Sequence, residues 1–535
     1  MTETAPHSDP SEWLVMFYMA ADNNLTEDMI LAMQDLAAEG PPPGYRIVAQ
    51  FDPSGIGVGA QRYDFSGKPP GQSLQTYREP DFTPGGVSTG NVGVLVDFVT
   101  WAVRTHAGLA TKFFLILSGH GSGITGDFFL RDDSSMDSLT IDELGEALGE
   151  VATHIRQVTD DGARKIDVVG LDACFMSMGE IADQIREHAG ILLAAEGFEA
   201  EAGWPYRRIL AGAKQKGPSA DPEELAVRVV ETYITHYADY DTAAGRSADL
   251  AAIKLDKIPA VAEQVKAFCS ALAAAREADH GGGREIDDRL VLAHWKAQTY
   301  KYDQFVDLKD FCEEVTTQFP QDATITTACD GVIRALESAI LLCGCCGASC
   351  QYSHGLSVYL PWALVSADYE NMAFARETGW HDFIHAHVEA ARKPGRDGAV
   401  AGSSGAEFGR TVEALKALER RRLRGVLGSS ADDLIERSIG ERVERARRLA
   451  QSPGVPGADQ AGEFRRRFLR GSGMAGGHRS GPDSRSGPDS RSGPDSRSGP
   501  DSRSVYDRER AIKNLAPVSG IWWWPKAPVQ QESTA

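Results

Sequence analysis

A chain of 535 residues is too long for one compact core, and its 42% hydrophobic share suits a globular enzyme, so two or more modules are expected. No run nears the ~18 apolar residues that span a bilayer, residues 1–12 are polar and acidic, and eight partly adjacent cysteines do not resemble a disulfide framework, so a cytoplasmic protein without leader or anchor is expected. The net charge of −21 is unevenly placed: residues 395–535 hold 25 Lys/Arg and 18 Asp/Glu, which leaves 30 and 58 in residues 1–394, an acidic body that repels nucleic acid and favours basic peptides.

In chain order, Trp13 to Asp22 (WLVMFYMAAD) reads as a buried strand, followed by a helix over Met29–Glu39 and a strand over Arg46–Phe51. A helix over Val92–Arg104 precedes the strand Phe113–Leu117 (FFLIL) and the turn Ser118-Gly119-His120-Gly121. Thr140 with Glu143 forms a capping box that opens a helix through Leu144 and Leu148. The strand Ile166–Leu171 (IDVVGL) ends in Asp172-Ala173-Cys174. Residues 222–237 suit an amphipathic helix, 250–278 a strand then a helix, and 355–360 (GLSVYL) a further strand. This βα alternation predicts an α/β fold, a three-layer α/β/α sandwich with a mostly parallel central sheet, over residues 13–392. An Arg-rich helical region is expected at 393–470. Four identical Arg-Ser-Gly-Pro-Asp-Ser hexads run from Arg479 to Ser502, so 471–504 reads as a disordered linker. A tail at 505–535 carries Trp522-Trp523-Trp524, an apolar load that would seek a groove.

Carboxyl ends of parallel strands face the crevice where chemistry is done. A histidine and a cysteine delivered to that edge can act together: Cys174 as the nucleophile, attacking as thiolate, and His120 as the base and then the acid for the leaving amine. Either residue alone is more often a turn histidine or a small buried hydrophobe. Asp172 lies two residues before Cys174, on the same strand face, where its carboxylate can line a pocket beside the scissile bond. Its bland alternative is a cap of the strand-to-helix turn.

The ordered segments make the assignment. WLVMFYMAAD with Asn23-Asn24-Leu25, Gln50-Phe51-Asp52, the SGHG turn and Asp133 to Leu148 come first. They are followed by IDVVGLDACFMSMGEIA, AAEGFEAEAGWPY ending at Tyr206, EELAVRVVETYITHYAD, VDLKDFCEEV, HGLSVYLP ending at Pro361 and GWHDFIHAHV ending at Val388. Together they resemble the clostripain-like family of cysteine peptidases, relatives of the caspases. Ala195 departs from the pattern, where a serine is expected.

The resemblance implies a caspase/clostripain-like fold and an endopeptidase cleaving after Arg or Lys, with Asp172 at the base of the S1 pocket. It implies Gly121 and Cys174 N–H groups as oxyanion donors. Glu196, Glu199 and Glu201 fall in the segment resembling the cleft wall. It also implies a zymogen processed just after the catalytic histidine, where Arg131 is the most exposed-looking basic residue. No cofactor is required on this reading, and Ca2+ stimulation rests on family likeness alone. The expected partners are proteins with exposed Arg-containing loops and an upstream activating protease, in a regulatory or defence-type cascade, without nucleic acid or membrane.

Two other classes compete: a catalytically silent scaffold of the same fold, and a nucleic-acid effector using the Arg-rich region. The intact His120, Cys174 and Asp172 weigh against the first, and the interleaved Glu and Asp against the second. Cys343, Cys345, Cys346 and Cys350 lack the paired spacing of a zinc site, with buried thiols the favoured reading, and His354-Gly355 has no partner cysteine. The hexads with their arginines (Arg479, Arg485, Arg491, Arg497, then Arg503) are expected to be self-cleaved or to occupy the cleft as a basic mimic, with Trp522–Trp524 docking on the catalytic domain, or else to be a passive linker that presents the tryptophans to a partner protein.

Overall fold

Alternate residues of the first strand enter different cores. Leu14, Met16 and Tyr18 pack on one side of the sheet, and Trp13, Val15, Phe17 and Met19 on the other. That alternation is the geometry of a strand buried on both faces. The computed structural model describes residues 13–392 and 521–525, apart from 56–58, 83–86, 107, 126–128, 201, 217–220, 244–246, 280–283, 301–303, 363–364 and 367–368. The regions expected at 393–470 and 471–504, and most of the tail, lie outside the described residues.

The strands are β1 (Trp13–Ala21), β2 (Tyr45–Pro53), β3 (Gln61–Asp64), β4 (Lys112–Ser118), β5 (Phe129–Asp132), β6 (Asp137–Leu139) and β7 (Ile166–Asp172). They continue with β8 (Ala189–Ala194), β9 (Ala248–Lys254), β10 (Thr299–Tyr300), β11 (Phe305–Asp307), β12 (Ile340–Cys346), β13 (Ser357–Tyr359) and β14 (Ile521–Trp524). Nine of them form one sheet in the order β14-β12-β9-β8-β7-β4-β1-β2-β3. The centre, β8-β7-β4-β1-β2, is parallel, whereas β3, β9, β12 and β14 each run antiparallel to the neighbour through which they join it.

Helices cover both faces, as the apolar pattern predicts. Thr26–Glu39, Tyr206–Lys216 and Pro222–Ala243 lie on the side of Trp13 and Phe17. Val92–Thr105, Ile141–Thr159 and Ile258–Ala278 lie on the side of Leu14 and Tyr18. The capping box is present: Thr140 Oγ1 accepts from Glu143 N, and Glu143 Oε2 accepts from Thr140 N. Removing such a cap costs about 1 kcal/mol. The strand expected at 355–360 forms as β13, but it belongs to a small separate sheet, β10-β11-β13. β5 and β6 make a hairpin of their own.

Candidate active site

β4 and β7 are parallel neighbours, with Ser118 opposite Asp172 and Gly119 N donating to Asp172 O at 3.2 Å. His120 and Cys174 each follow their aligned residues by two positions, so adjacent strand ends deliver them to one sheet edge. The backbone approach is close. A Cβ on Gly121 would lie 2.4 Å from Cys174 O and 3.1 Å from Cys174 N, so only glycine fits there. Directly after Cys174, Phe175 takes φ +64°, a costly value for an aromatic residue. Phe175 N donates to Gly197 O, and its ring packs edge-on against Phe198. The strand therefore stops sharply at the cysteine.

His120 has an orienting partner that the sequence did not reveal. Its Nε2 lies 2.8 Å from Oδ1 of Asn24. Because the amide oxygen can only accept, Nε2 carries the proton and Nδ1 is left as the basic nitrogen. The neighbouring Asn23 fixes this loop: its Nδ2 donates to Ala20 O and Arg131 O, and its Oδ1 accepts from Leu25 N. A signal did exist in the sequence, since Asn23-Asn24 follows β1, and β1 pairs with β4 up to Met19 opposite Ser118.

Burial lowers the pKa of His120 to about 4, partly opposed by Asp133. Burial likewise pushes the Cys174 thiol up to about 11, against the pull of Glu199 N–H, which reaches Sγ at 3.4 Å. In the resting chain the proton thus sits on sulfur and the imidazole is a neutral base. Enclosure here outweighs the dipoles that would favour a resting thiolate.

Asp172 is only 4% exposed. Its Oδ2 accepts from Ser118 Oγ at 2.8 Å and from Tyr206 OH at 2.5 Å. Among the described residues no cation pairs with it. The nearest helix downstream begins at Gly179, so this carboxylate spends its hydrogen bonds on neighbouring side chains and caps nothing.

A sequence model of the clostripain family (Peptidase_C11) matches residues 17–387. The chain belongs to the clostripain family. It is accordingly a cysteine protease, a hydrolase of peptide bonds acting on protein substrates. Among solved structures, this clostripain-family chain is similar to a secreted C11 cysteine protease from Bacteroides thetaiotaomicron in complex with an irreversible peptide inhibitor, at 16% identity and TM-score 0.49, covering 69% of this chain and 99% of that one. It is also similar to an inactive zymogen C11 protease from Parabacteroides distasonis, at 15% identity and TM-score 0.49, covering 70% and 99%. A comparison with curated protein sequences found no match.

The remaining acidic residues of this clostripain-family site separate. Glu199 stands beside Asp172 and Cys174, with Trp204 Nε1 donating to its Oε1 at 3.1 Å. Burial first, then the charge of Asp172 and a hydrogen bond shared with it, push its carboxyl well above the usual range. Glu196 is fully buried away from the cleft: its Oε2 accepts from Gly355 N at 2.7 Å, beside Asp249 and Asp307. It braces the loop under Cys174 through Glu196 N and Gly197 N, both of which donate to Asp249. Glu201 lies outside the described residues.

Arg131, expected in an exposed stretch, sits on β5. It is ion-paired with Asp133, its carbonyl accepts from Asn23, and the next residue, Asp132, is wholly buried. Its segment is tied down because the β5–β6 hairpin packs beside the His120 turn, with Leu130 N donating to His120 O. His354 is held by Asp307, Nδ1 to Oδ1 at 3.1 Å. Cys343, Cys345, Cys346 and Cys350 are buried thiols on and after β12. Among the described residues no group of three or more His, Cys, Asp or Glu converges to hold an ion.

Proposed function

We propose that the chain is an endopeptidase that cleaves proteins after Arg, or Lys, with Cys174 and His120 as its catalytic pair. The observation that carries the specificity is Asp172: a buried carboxylate at the sheet edge that delivers both catalytic residues, bonded by two hydroxyls and paired with no cation among the described residues. A desolvated carboxylate of this kind gains most from a guanidinium, which offers charge and two parallel donors. Glu199, whose carboxyl burial and the charge of Asp172 push well above the usual range, stands beside it and adds acceptor oxygens.

Catalysis follows from the resting protonation. As the scissile carbonyl approaches, Nδ1 of His120 takes the thiol proton and Sγ bonds to the carbonyl carbon. The N–H groups of Gly121 and Cys174 receive the oxyanion. The imidazolium then protonates the leaving amine, and water, deprotonated by the same imidazole, releases the acyl group. Asn24 keeps the ring in the tautomer that these transfers need.

The chain acts as a zymogen on this reading, because a protonated sulfur beside a weakly basic imidazole is a poor resting nucleophile. Cleavage after Arg131 is the activating step proposed, and it requires β5 to open first. Eight cysteines in 535 residues are too few for the dense framework of a disulfide scaffold, which supports work in the cytoplasm within a proteolytic cascade. The test is hydrolysis of Arg- and Lys-P1 fluorogenic peptides beside the Cys174→Ala protein. Turnover in the parent alone supports the reading, and turnover in neither, after processing, supports the silent scaffold.

A further inference from the structure

The three tryptophans near the end of the chain are built into the catalytic sheet. β14 pairs antiparallel with β12, placing Trp524 opposite Cys343, Trp523 opposite Gly344, Trp522 opposite Cys345 and Ile521 opposite Cys346. Successive side chains of a strand leave on opposite faces, so this strand grips the edge from both sides. Trp523 packs into the core that holds Tyr233 and Ile234, and Trp524 into the opposite core.

The edge is shaped for this occupant. A Cβ at Gly344 would meet the Trp523 ring at 2.5 Å and Ile234 at 2.7 Å, so the missing side chain is the notch the indole fills. On the other face, Trp524 sits edge-on to His354 with centroids 5.4 Å apart, and Lys309 Nζ lies 5.5 Å from its ring centroid. A cation over an indole is attracted to the negative face of the ring. β12 itself reads Ile-Leu-Leu-Cys-Gly-Cys-Cys, without charge or proline, an edge that would template aggregation if left open. Backbone pairing supplies affinity and the Gly344 notch supplies selectivity, the two requirements of strand addition.

We propose that Ile521–Trp524 is a docking strand, held on the β12 edge of its own chain by these contacts alone, so that it stays bound when the intervening residues 393–520 are cut. Peptidase activity plays no part in this inference. The test uses the full-length Cys174→Ala protein with a sequence-specific protease site placed among the hexads of Arg479–Ser502 and an affinity tag after Ala535. After complete cutting at low micromolar concentration, the N-terminal piece is expected to remain on the affinity resin with the tail. Trp523→Ala, a change in the tail that leaves the catalytic unit's own sequence intact, should reduce retention at least about ten-fold, and Gly344→Val should do likewise. Separation of the two pieces in the parent protein would overturn the proposal, as would undiminished retention in Trp523→Ala. An uncut dimer that Trp523→Ala dissolves would overturn the assignment to the same chain.

Discussion

Two buried acidic groups lie on either side of the loop 195–199, and they are satisfied in opposite ways. Around Asp307, burial alone would raise the carboxyl pKa, but the charge and hydrogen bonds of His354 override it and hold it below the usual range. Glu196 in the same group accepts from Gly355 N and is pushed upward by burial and by Asp307. That group supplies its own basic partner, His354, and is closed. Asp172 has hydroxyl donors and no cationic partner among the described residues. A buried acid with a basic partner of its own braces structure, whereas one without a cationic partner is suited to receive a charge from outside.

The sharpest way to break this comparison is Asp172→Asn. It should lower kcat/KM for Arg-P1 peptides at least about 100-fold, since a charge-assisted contact is lost, and steady-state kinetics on an Arg-P1 series would show it. If the loss is no greater than for Glu196→Gln, the two groups do not differ as described. Next in size, Asn24→Ala should reduce kcat about ten-fold or more with little change in KM, because the ring loses its tautomer lock while the S1 pocket is untouched.

The resting protonation is tested by pH. Alkylation of Cys174 by iodoacetamide should still be accelerating at pH 9 to 10, tracking a thiol pKa of about 11, rather than reaching a plateau near pH 7. The smallest effect expected is in the closed group. Glu196 has a raised pKa in the folded chain, so its stabilising contribution is present below the ordinary carboxyl pKa and is lost as pH rises through the folded value. Glu196→Gln should therefore gain in Tm relative to the parent as pH rises from about 4.5, with P1 preference unchanged. Differential scanning fluorimetry across pH measures the first, and a peptide panel the second.

The sequence carried the sheet edge because both of its components are local. FFLIL and IDVVGL announce buried strands, and a histidine and a cysteine two residues past aligned positions are then delivered to one sheet edge. Thr140 and Glu143 were legible for the same reason: a capping box is complete within four residues. Asn24 was not, because its contact with His120 depends on which strand lies beside β4. Glu196 read as cleft wall from its neighbours, yet the chain turns there so that Gly355, far along the sequence, takes its carboxylate. Arg131 looked exposed because the stretch after it is polar, but those polar groups bond inward: Asp132 accepts from Thr89 N, Ser134 Oγ and Ser135 N. Three tryptophans signalled docking on the catalytic domain or on a partner without choosing the place, since the matching notch is a glycine in a distant strand.

The central claim is that a buried Asp172, paired with no cation among the described residues, selects a basic P1 residue for Cys174. The most direct measurement compares kcat/KM for two peptides identical except for arginine or citrulline at P1, which differ in charge and hardly in shape. A preference for arginine of at least about 100-fold, abolished in Asp172→Asn, is the result predicted here. Equal turnover of the two peptides by the parent enzyme would contradict it.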